Sequence, residues 1–230
     1  PPLLIPAATG APGPADPELN RLRTACRNAV ADLVAGGPDL LVVAGGAERT
    51  AEYPPRTPGR LHDFGVPFTV GHEDDHEDDH EDRAAAALPL SLTIGKWLVS
   101  ELPAAWWGVA SDAPPGECLQ LGEKLAALAP RVALLAMGDG PARRARAAPG
   151  AADPEADRYD DQVAAALAAA DPGALAALDP GQDRPLEIAG RAAWQVLAGA
   201  AAQDPFDAEL RYRGAPYEVS YVVASWRRAH

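Results

Sequence analysis

The chain has 230 residues, 47% of them hydrophobic, and a formal net charge of −13 at pH 7. This length suits one domain over residues 1–230, and the negative charge argues against a nucleic-acid partner, because phosphates bind basic surfaces. The sequence has no run of about twenty apolar residues and no secretion signal, so it predicts a cytoplasmic protein with no membrane partner. Its two cysteines, Cys26 and Cys118, are far apart and are predicted to be buried thiols.

The first half of the chain alternates between helix and strand patterns. Residues 18–35 carry apolar side chains at spacings of three and four, which predicts an amphipathic helix. The run DLLVVA at 39–44 predicts a strand covered on both faces, and two glycines follow it. A Pro-rich loop then leads to an acidic segment, after which residues 84–102 are predicted to form a helix with Pro89 in its first turn.

The second half of the chain continues this alternation with three strand patterns and three helix patterns. The strands are predicted at 106–109, 131–137 and 217–224, and the helices at 119–128, 153–170 and 186–202. The last of these strands is expected at a sheet edge. The order predicts an α/β fold in which a central, mostly parallel or mixed sheet is flanked by helices on both faces.

Residues 71–83 contain the run HEDDHEDDHED, in which each histidine is followed by carboxylates, and they are predicted to form an inserted loop. If the segment is helical, His72, His76 and His80 lie on successive turns, and neighbouring histidines could share a metal ion. Glu73 and Glu77 are further candidate ligands, and this donor set suits divalent Fe, Zn, Ni, Cu or Mn. Because the close carboxylates repel one another, a solvated loop without metal is the alternative.

Polar residues follow two predicted strands, at the place where α/β sheets bind ligands. Glu48 and Arg49 follow the first strand, and Asp139 and Arg143 follow the strand at 131–137. They are candidate pocket residues for a small-molecule ligand. Asp139 is also a candidate catalytic residue, although an aspartate between two glycines is ordinary in a turn.

His62 is the second candidate catalytic residue. It lies in a loop beside Asp63, which could orient it as a general base. The alternative is a surface histidine without a catalytic role. The sequence contains no Gly-x-Ser-x-Gly motif and no P-loop, so two common catalytic routes lose support.

Five stretches, in matching order along nearly the whole chain, resemble one protein family. They are PPLLIP at 1–6, PDLLVVAGG at 38–46, LPLSLTIGKWLV at 88–99, VALLAMGDGPARR at 132–144 and AGRAAWQVLAGAA at 189–201. The chain resembles bacterial proteins described as class III extradiol ring-cleavage dioxygenase-like, which belong to a superfamily that also contains the Memo proteins. The resemblance implies a mixed sheet flanked by helices. It also implies ferrous iron held by two histidines and a glutamate, with a further histidine for acid–base chemistry.

The chain departs from this family at the positions that carry the chemistry. The first family histidine would precede Pro1, and the residues after the first strand, where the second is expected, are Ala47, Glu48 and Arg49. The residues that follow Asp139, where the motif Gly-Asp-x-Ser-His would supply the catalytic histidine, are Gly140, Pro141 and Ala142. Ala189 stands where Memo relatives carry a cysteine, and Glu187 is a candidate substitute carboxylate.

Three functions therefore stay open. The protein could be a divalent-metal-binding member of the dioxygenase superfamily that oxidises or cleaves a small aromatic substrate. It could instead handle metal without catalysis through the acidic repeat, which could also supply replacement ligands if it lies near Asp139. The third alternative is a pseudoenzyme that binds a ligand or a partner, and a homo-oligomer is compatible with all three.

Overall fold

A computed structural model describes residues 2–9, 16–71, 87–100, 102–142 and 153–229 of the protein. The strands are β1 (Leu40–Ala47), β2 (Ala51–Tyr53), β3 (Gly59–Arg60), β4 (Thr69–Val70), β5 (Ala104–Ala110), β6 (Val132–Met137), β7 (Phe206–Gly214) and β8 (Tyr221–Arg228). The main sheet has the order β2-β5-β1-β6, in which β5 and β6 run parallel to β1 and β2 is antiparallel to β5. Strands β3 and β4 form one short antiparallel pair, and β7 and β8 form another.

The main sheet is surrounded by helices, which confirms the predicted α/β fold with a mixed sheet. The helices are α1 (Pro17–Ala35), α2 (Leu90–Val99), α3 (Pro115–Ala126), α4 (Pro154–Ala168), α5 (Pro172–Ala176), α6 (Asp183–Leu186) and α7 (Arg191–Ala201). Among the described residues, none of these helices has the length and apolar character needed to cross a lipid bilayer.

Strand β1 lies at the centre of the core because both of its faces are apolar. Leu41 and Val43 pack on one side with residues of α1 and α2. Val42 and Ala44 pack on the other side with residues of α3 and α7. All four side chains are buried, as the continuous apolar run predicts for a strand covered on both faces.

Several predicted elements have different boundaries in the structure, and three of them have a clear physical reason. The helix predicted over 84–102 begins at Leu90. Pro89 has an extended backbone and caps the helix instead of lying in its first turn. The helix predicted over 186–202 begins at Arg191, since Glu187 takes a left-handed conformation with φ of 55° and ends the separate helix α6. The late strand begins at Tyr221 and pairs with β7, which the sequence pattern did not predict.

Cys26 and Cys118 are free, buried thiols, as predicted. Burial raises the pKa of the Cys26 thiol to about 11. At pH 8 the thiolate fraction of Cys26 is therefore on the order of a hundredfold below that of an ordinary cysteine. We expect Ellman's reagent to modify Cys26 slowly in the native protein and rapidly in guanidinium chloride. Fast reaction of two thiols per chain under native conditions would contradict this burial.

The raised pKa of Cys26 also predicts a pH dependence of stability. The folded state favours the neutral thiol, so this contribution is complete below the pKa of the unfolded thiol. It is lost as the pH rises through the folded value of about 11. A Cys26→Ala variant should therefore lose less stability than the parent between pH 8 and pH 11 in urea denaturation. Parallel stability curves for the two proteins would argue against the shift.

Candidate functional site

The carboxyl ends of the three parallel strands lie at one edge of the sheet. Glu48 and Arg49 follow β1, Ser111 and Asp112 follow β5, and Asp139 lies two residues beyond β6. These residues line one pocket with a volume of about 1370 Å³. Parallel strands that are joined through helices end at the same edge, so the chain order itself brings these polar groups together.

Close backbone packing shapes the floor of this strand-end pocket. The Ser91 hydroxyl donates a hydrogen bond of 2.7 Å to the Gly46 carbonyl and so ties the start of α2 to the end of β1. A Cβ atom at Gly46 would lie 2.5 Å from the Ala189 carbonyl oxygen. A Cβ at Gly190 would lie 2.4 Å from the backbone nitrogen of Asp139. Only glycine fits at these two positions without moving the loop before α7 away from the strand ends.

A second wall of the pocket comes from the loop that contains the 3-10 helix His62–Phe64. Leu61, immediately before this helix, is fully buried and anchors the loop. The preceding turn is held by Lys96 of α2, whose ammonium donates to the carbonyls of Pro55 and Thr57 at 3.0 and 2.9 Å. Burial lowers the pKa of Lys96. The lysine therefore has a structural role beneath the pocket wall.

The pocket lining carries charge of both signs. Its ionisable residues are the two cations Arg49 and Arg60, the four carboxylates Glu48, Asp63, Asp112 and Asp139, and His62. Glu48, Arg49 and His62 are exposed at the rim, whereas Asp139 is partly buried. The charge of Asp139 adds to the effect of burial in raising the pKa of the Tyr221 hydroxyl. The site can therefore bind a ligand that carries both an anionic group and hydrogen-bond donors.

Four of the predicted site residues meet in this pocket, namely Glu48, Arg49, His62 and Asp139. They come from three chain segments that are up to 91 residues apart (139 − 48 = 91). One predicted detail is absent: among the described residues, His62 and Asp63 form no hydrogen bond with each other. Asp63 therefore lines the same wall as His62 without orienting its imidazole.

The other predicted site residues are not among the described residues that line the pocket. Glu187 is exposed, and its carbonyl accepts a 3.3 Å hydrogen bond from the Ala142 amide. Arg143 lies outside the described residues, and so do the five candidate ligands His72, Glu73, Glu77, His76 and His80. Ala87, the first described residue after the acidic repeat, lines the strand-end pocket.

The described residues do not fit the iron that the resemblance implies. The pocket supplies one histidine and four carboxylates. Within residues 2–9, 16–71, 87–100, 102–142 and 153–229, however, no three His, Cys, Asp or Glu side chains are placed to hold one metal ion. The described arrangement thus does not match a site with two histidines and a glutamate.

A buried polar network behind the pocket was not predicted from the sequence. Arg191 is 1% exposed, and its guanidinium donates to Asp183, to Gln195 and to two backbone carbonyls, those of Ser111 and Ala113. It therefore ties α6 and α7 to the loop after β5 that lines the pocket. The sequence feature that could have indicated this network is an arginine and a glutamine four residues apart in an otherwise apolar helix pattern.

Comparisons with known proteins give little further information. No family model matches the chain, and no curated protein matches it either. A solved structure, that of the uncharacterized protein JW3007 from Escherichia coli K12, is similar with a TM-score of 0.46 and 17% identity. The match covers 87% of this chain and 91% of that chain. At this level the similarity carries no argument about function.

Proposed function

We propose that the protein binds a small hydroxylated aromatic acid in the strand-end pocket, as a ligand-binding pseudoenzyme related to extradiol dioxygenases. One observation carries the proposal: Glu48, Arg49, His62 and Asp139 line one pocket at the carboxyl ends of the parallel strands. This edge is the usual ligand site of α/β sheets. The family resemblance supports an aromatic ligand. The residues after β1 and after Asp139 include none of the family histidines expected there, which supports binding without ring cleavage.

The charged residues define the polar groups of the ligand. Arg49 and Arg60 can bind a carboxylate, since guanidinium groups pair with carboxylates through two parallel hydrogen bonds. Asp112 and Asp139 can accept hydrogen bonds from ligand hydroxyl groups. A ligand with an acid at one end and hydroxyl groups at the other satisfies both sets.

The remaining lining residues favour an aromatic ring between these polar groups. Tyr53, Phe64, Leu88 and Met137 also line the pocket. Phe64 is 53% exposed, and a bound ring would cover part of it. Small-molecule sites commonly combine such apolar surface with a few polar groups that set the orientation.

Isothermal titration calorimetry with hydroxybenzoic acids tests this proposal. We expect binding to the parent protein, and at least roughly tenfold weaker binding to an Arg49→Ala, Arg60→Ala variant, because each carboxylate–guanidinium interaction contributes about 1.5 kcal/mol or more. Arg27→Ala is the matched control, because Arg27 is exposed on α1, away from the pocket. The benzamide analogues, which lack the carboxylate, should show little difference between the variants.

Two results would contradict the proposal. The first is a hydroxybenzoic acid that binds the double variant as tightly as it binds the parent. The second is protein-dependent formation of a ring-cleavage product from a catechol-type acid after addition of ferrous iron, since such turnover would identify an active dioxygenase. A circular dichroism spectrum equal to that of the parent would show that the double variant is folded.

A second candidate function is metal handling by the acidic repeat. The observation that favours it is that Ala87, the first described residue after the repeat, lines a pocket rich in carboxylates. If the repeat binds metal, elemental analysis should find a divalent metal in the parent. The metal should be lost in a His72, His76, His80→Ala variant and retained in the control His62→Ala. Equal metal content in all three proteins would exclude the repeat as the binding element.

A further inference from the structure

Two strand edges face one another in this fold without being paired. Within the part of the chain that the structure describes, β6 pairs only with β1, and β8 pairs only with β7. An unpaired strand edge presents a row of backbone N–H and C=O groups, which is a template for a further strand. Among the described residues, β6 and β8 each offer such a template.

Both edges belong to one layer of the structure. On one side of this layer, Met137 of β6 and Tyr221 and Val223 of β8 pack into the same apolar cluster as α1. On the other side, Leu134 packs with α3 and α7, and Val222 packs with α4. Because the side chains of both strands alternate between these two helix layers, the β7–β8 hairpin continues the plane of the main sheet.

The two edges are separated by an apolar cavity. Its volume is about 840 Å³, and it is lined by all six residues of β6 and by residues 220–228, which include β8. Helix α1 packs against β6, β7 and β8 and so spans the gap between the sheet and the hairpin. Tyr221, which is 6% exposed, is among the residues that line this cavity.

We propose that this gap is a binding site for one extended strand of a partner polypeptide. Neighbouring strands lie about 4.8 Å apart, so a single inserted strand can hydrogen-bond to β6 on one side and to β8 on the other. An apolar small molecule would fill the volume but leave both rows of backbone groups unpaired. The occupant that fits is a strand of about six residues, to match β6. Both of its faces are apolar, since helices cover both sides of the layer.

Hydrogen exchange with a probe peptide tests this site. The probe is a peptide of six apolar residues, alternating valine and alanine, with a lysine added at each end for solubility. At saturation we expect the amides of β6 and β8 that point into the gap to exchange at least roughly tenfold more slowly, because pairing protects them from solvent. The matched control is the same peptide with N-methyl groups on alternate residues. It keeps the side chains but cannot donate hydrogen bonds to one of the two edges.

A tethered form of the probe covers the case in which the free peptide binds too weakly to be detected. Leu4 lines the gap, so a probe joined to the N-terminus of the chain through a short glycine–serine linker can reach it. Protection of both strands by the free or the tethered probe, but not by the methylated control or by a tethered version with two central prolines, supports the proposal.

Three outcomes would overturn it. Unchanged exchange with both the free and the tethered probe would show that the gap takes no strand. Equal protection by the methylated peptide would show an apolar cavity without strand pairing. A dimer in sedimentation whose β6 and β8 amides are already protected would identify a second copy of this chain as the occupant.

Discussion

Replacement of Arg191 by methionine is expected to lower the free energy of unfolding by about 3 to 5 kcal/mol, the usual cost of breaking a buried ion pair. The Arg191 guanidinium is 0% exposed and donates to Asp183 at 2.6 Å. Methionine fills part of the volume but leaves the Asp183 carboxylate and the Gln195 side-chain oxygen without this donor. Urea denaturation, followed by tryptophan fluorescence, measures the loss.

Arg131→Met is the matched control for this prediction. Arg131 pairs with Asp39 at 2.8 Å, but the two side chains are 62% and 39% exposed. Solvent screens such a pair, so its removal should cost no more than about 1 kcal/mol. A loss for Arg191→Met as small as that of the control would show that the buried network does not stabilise the fold.

An Arg191→Lys variant separates the effect of the positive charge from the effect of the guanidinium geometry. It also covers the case in which the methionine variant fails to fold. Lysine keeps the positive charge but cannot reproduce the planar fork that reaches a carboxylate and two carbonyls at once. We expect an intermediate stability. Because Arg191 also holds the Ser111 carbonyl at the pocket, ligand affinity should fall in the lysine variant even where the protein is fully folded.

The sequence predicted the elements whose pattern is local. The period of α1 and the apolar run of β1 depend only on neighbouring residues, and both elements lie where they were predicted. The strand-end pocket was also predictable, because strand–helix alternation brings the carboxyl ends of the strands together. Glu48 and Asp139 meet there for this reason.

What the sequence did not predict depends on contacts between distant parts of the chain. Arg191 bonds to the carbonyls of Ser111 and Ala113, 80 and 78 residues earlier. Strand β7 was not predicted because its side chains are mostly charged or half-exposed. Their alternation therefore does not indicate an apolar face. The hydroxyl–carbonyl bond between Ser91 and Gly46 joins elements 45 residues apart. No periodicity in the sequence encodes such pairs.

The close contact between α3 and α7 predicts a second large effect. The Gly122→Ala substitution should lower the free energy of unfolding. The two helices touch through glycine on each side: a Cβ at Gly122 would lie 2.1 Å from the Val196 carbonyl oxygen, and a Cβ at Gly199 would lie 2.1 Å from that of Leu119. These neighbours are backbone atoms of regular helices and cannot rotate away. We therefore expect Gly122→Ala to destabilise the protein by about 3 kcal/mol, at the upper end of the usual cost of overpacking.

Gly116→Ala is the matched control, because Gly116 lies in the same helix and a Cβ there would meet nothing within 4 Å. Alanine is the better helix former, so this variant should be slightly more stable than the parent. Opposite signs for the two substitutions, measured by urea denaturation, would assign the effect to helix contact and not to helix propensity. A stabilising Gly122→Ala would show that α3 and α7 do not approach through these glycines. The same helix pair covers one face of β1, so the loosened contact should also increase hydrogen exchange in the central strand.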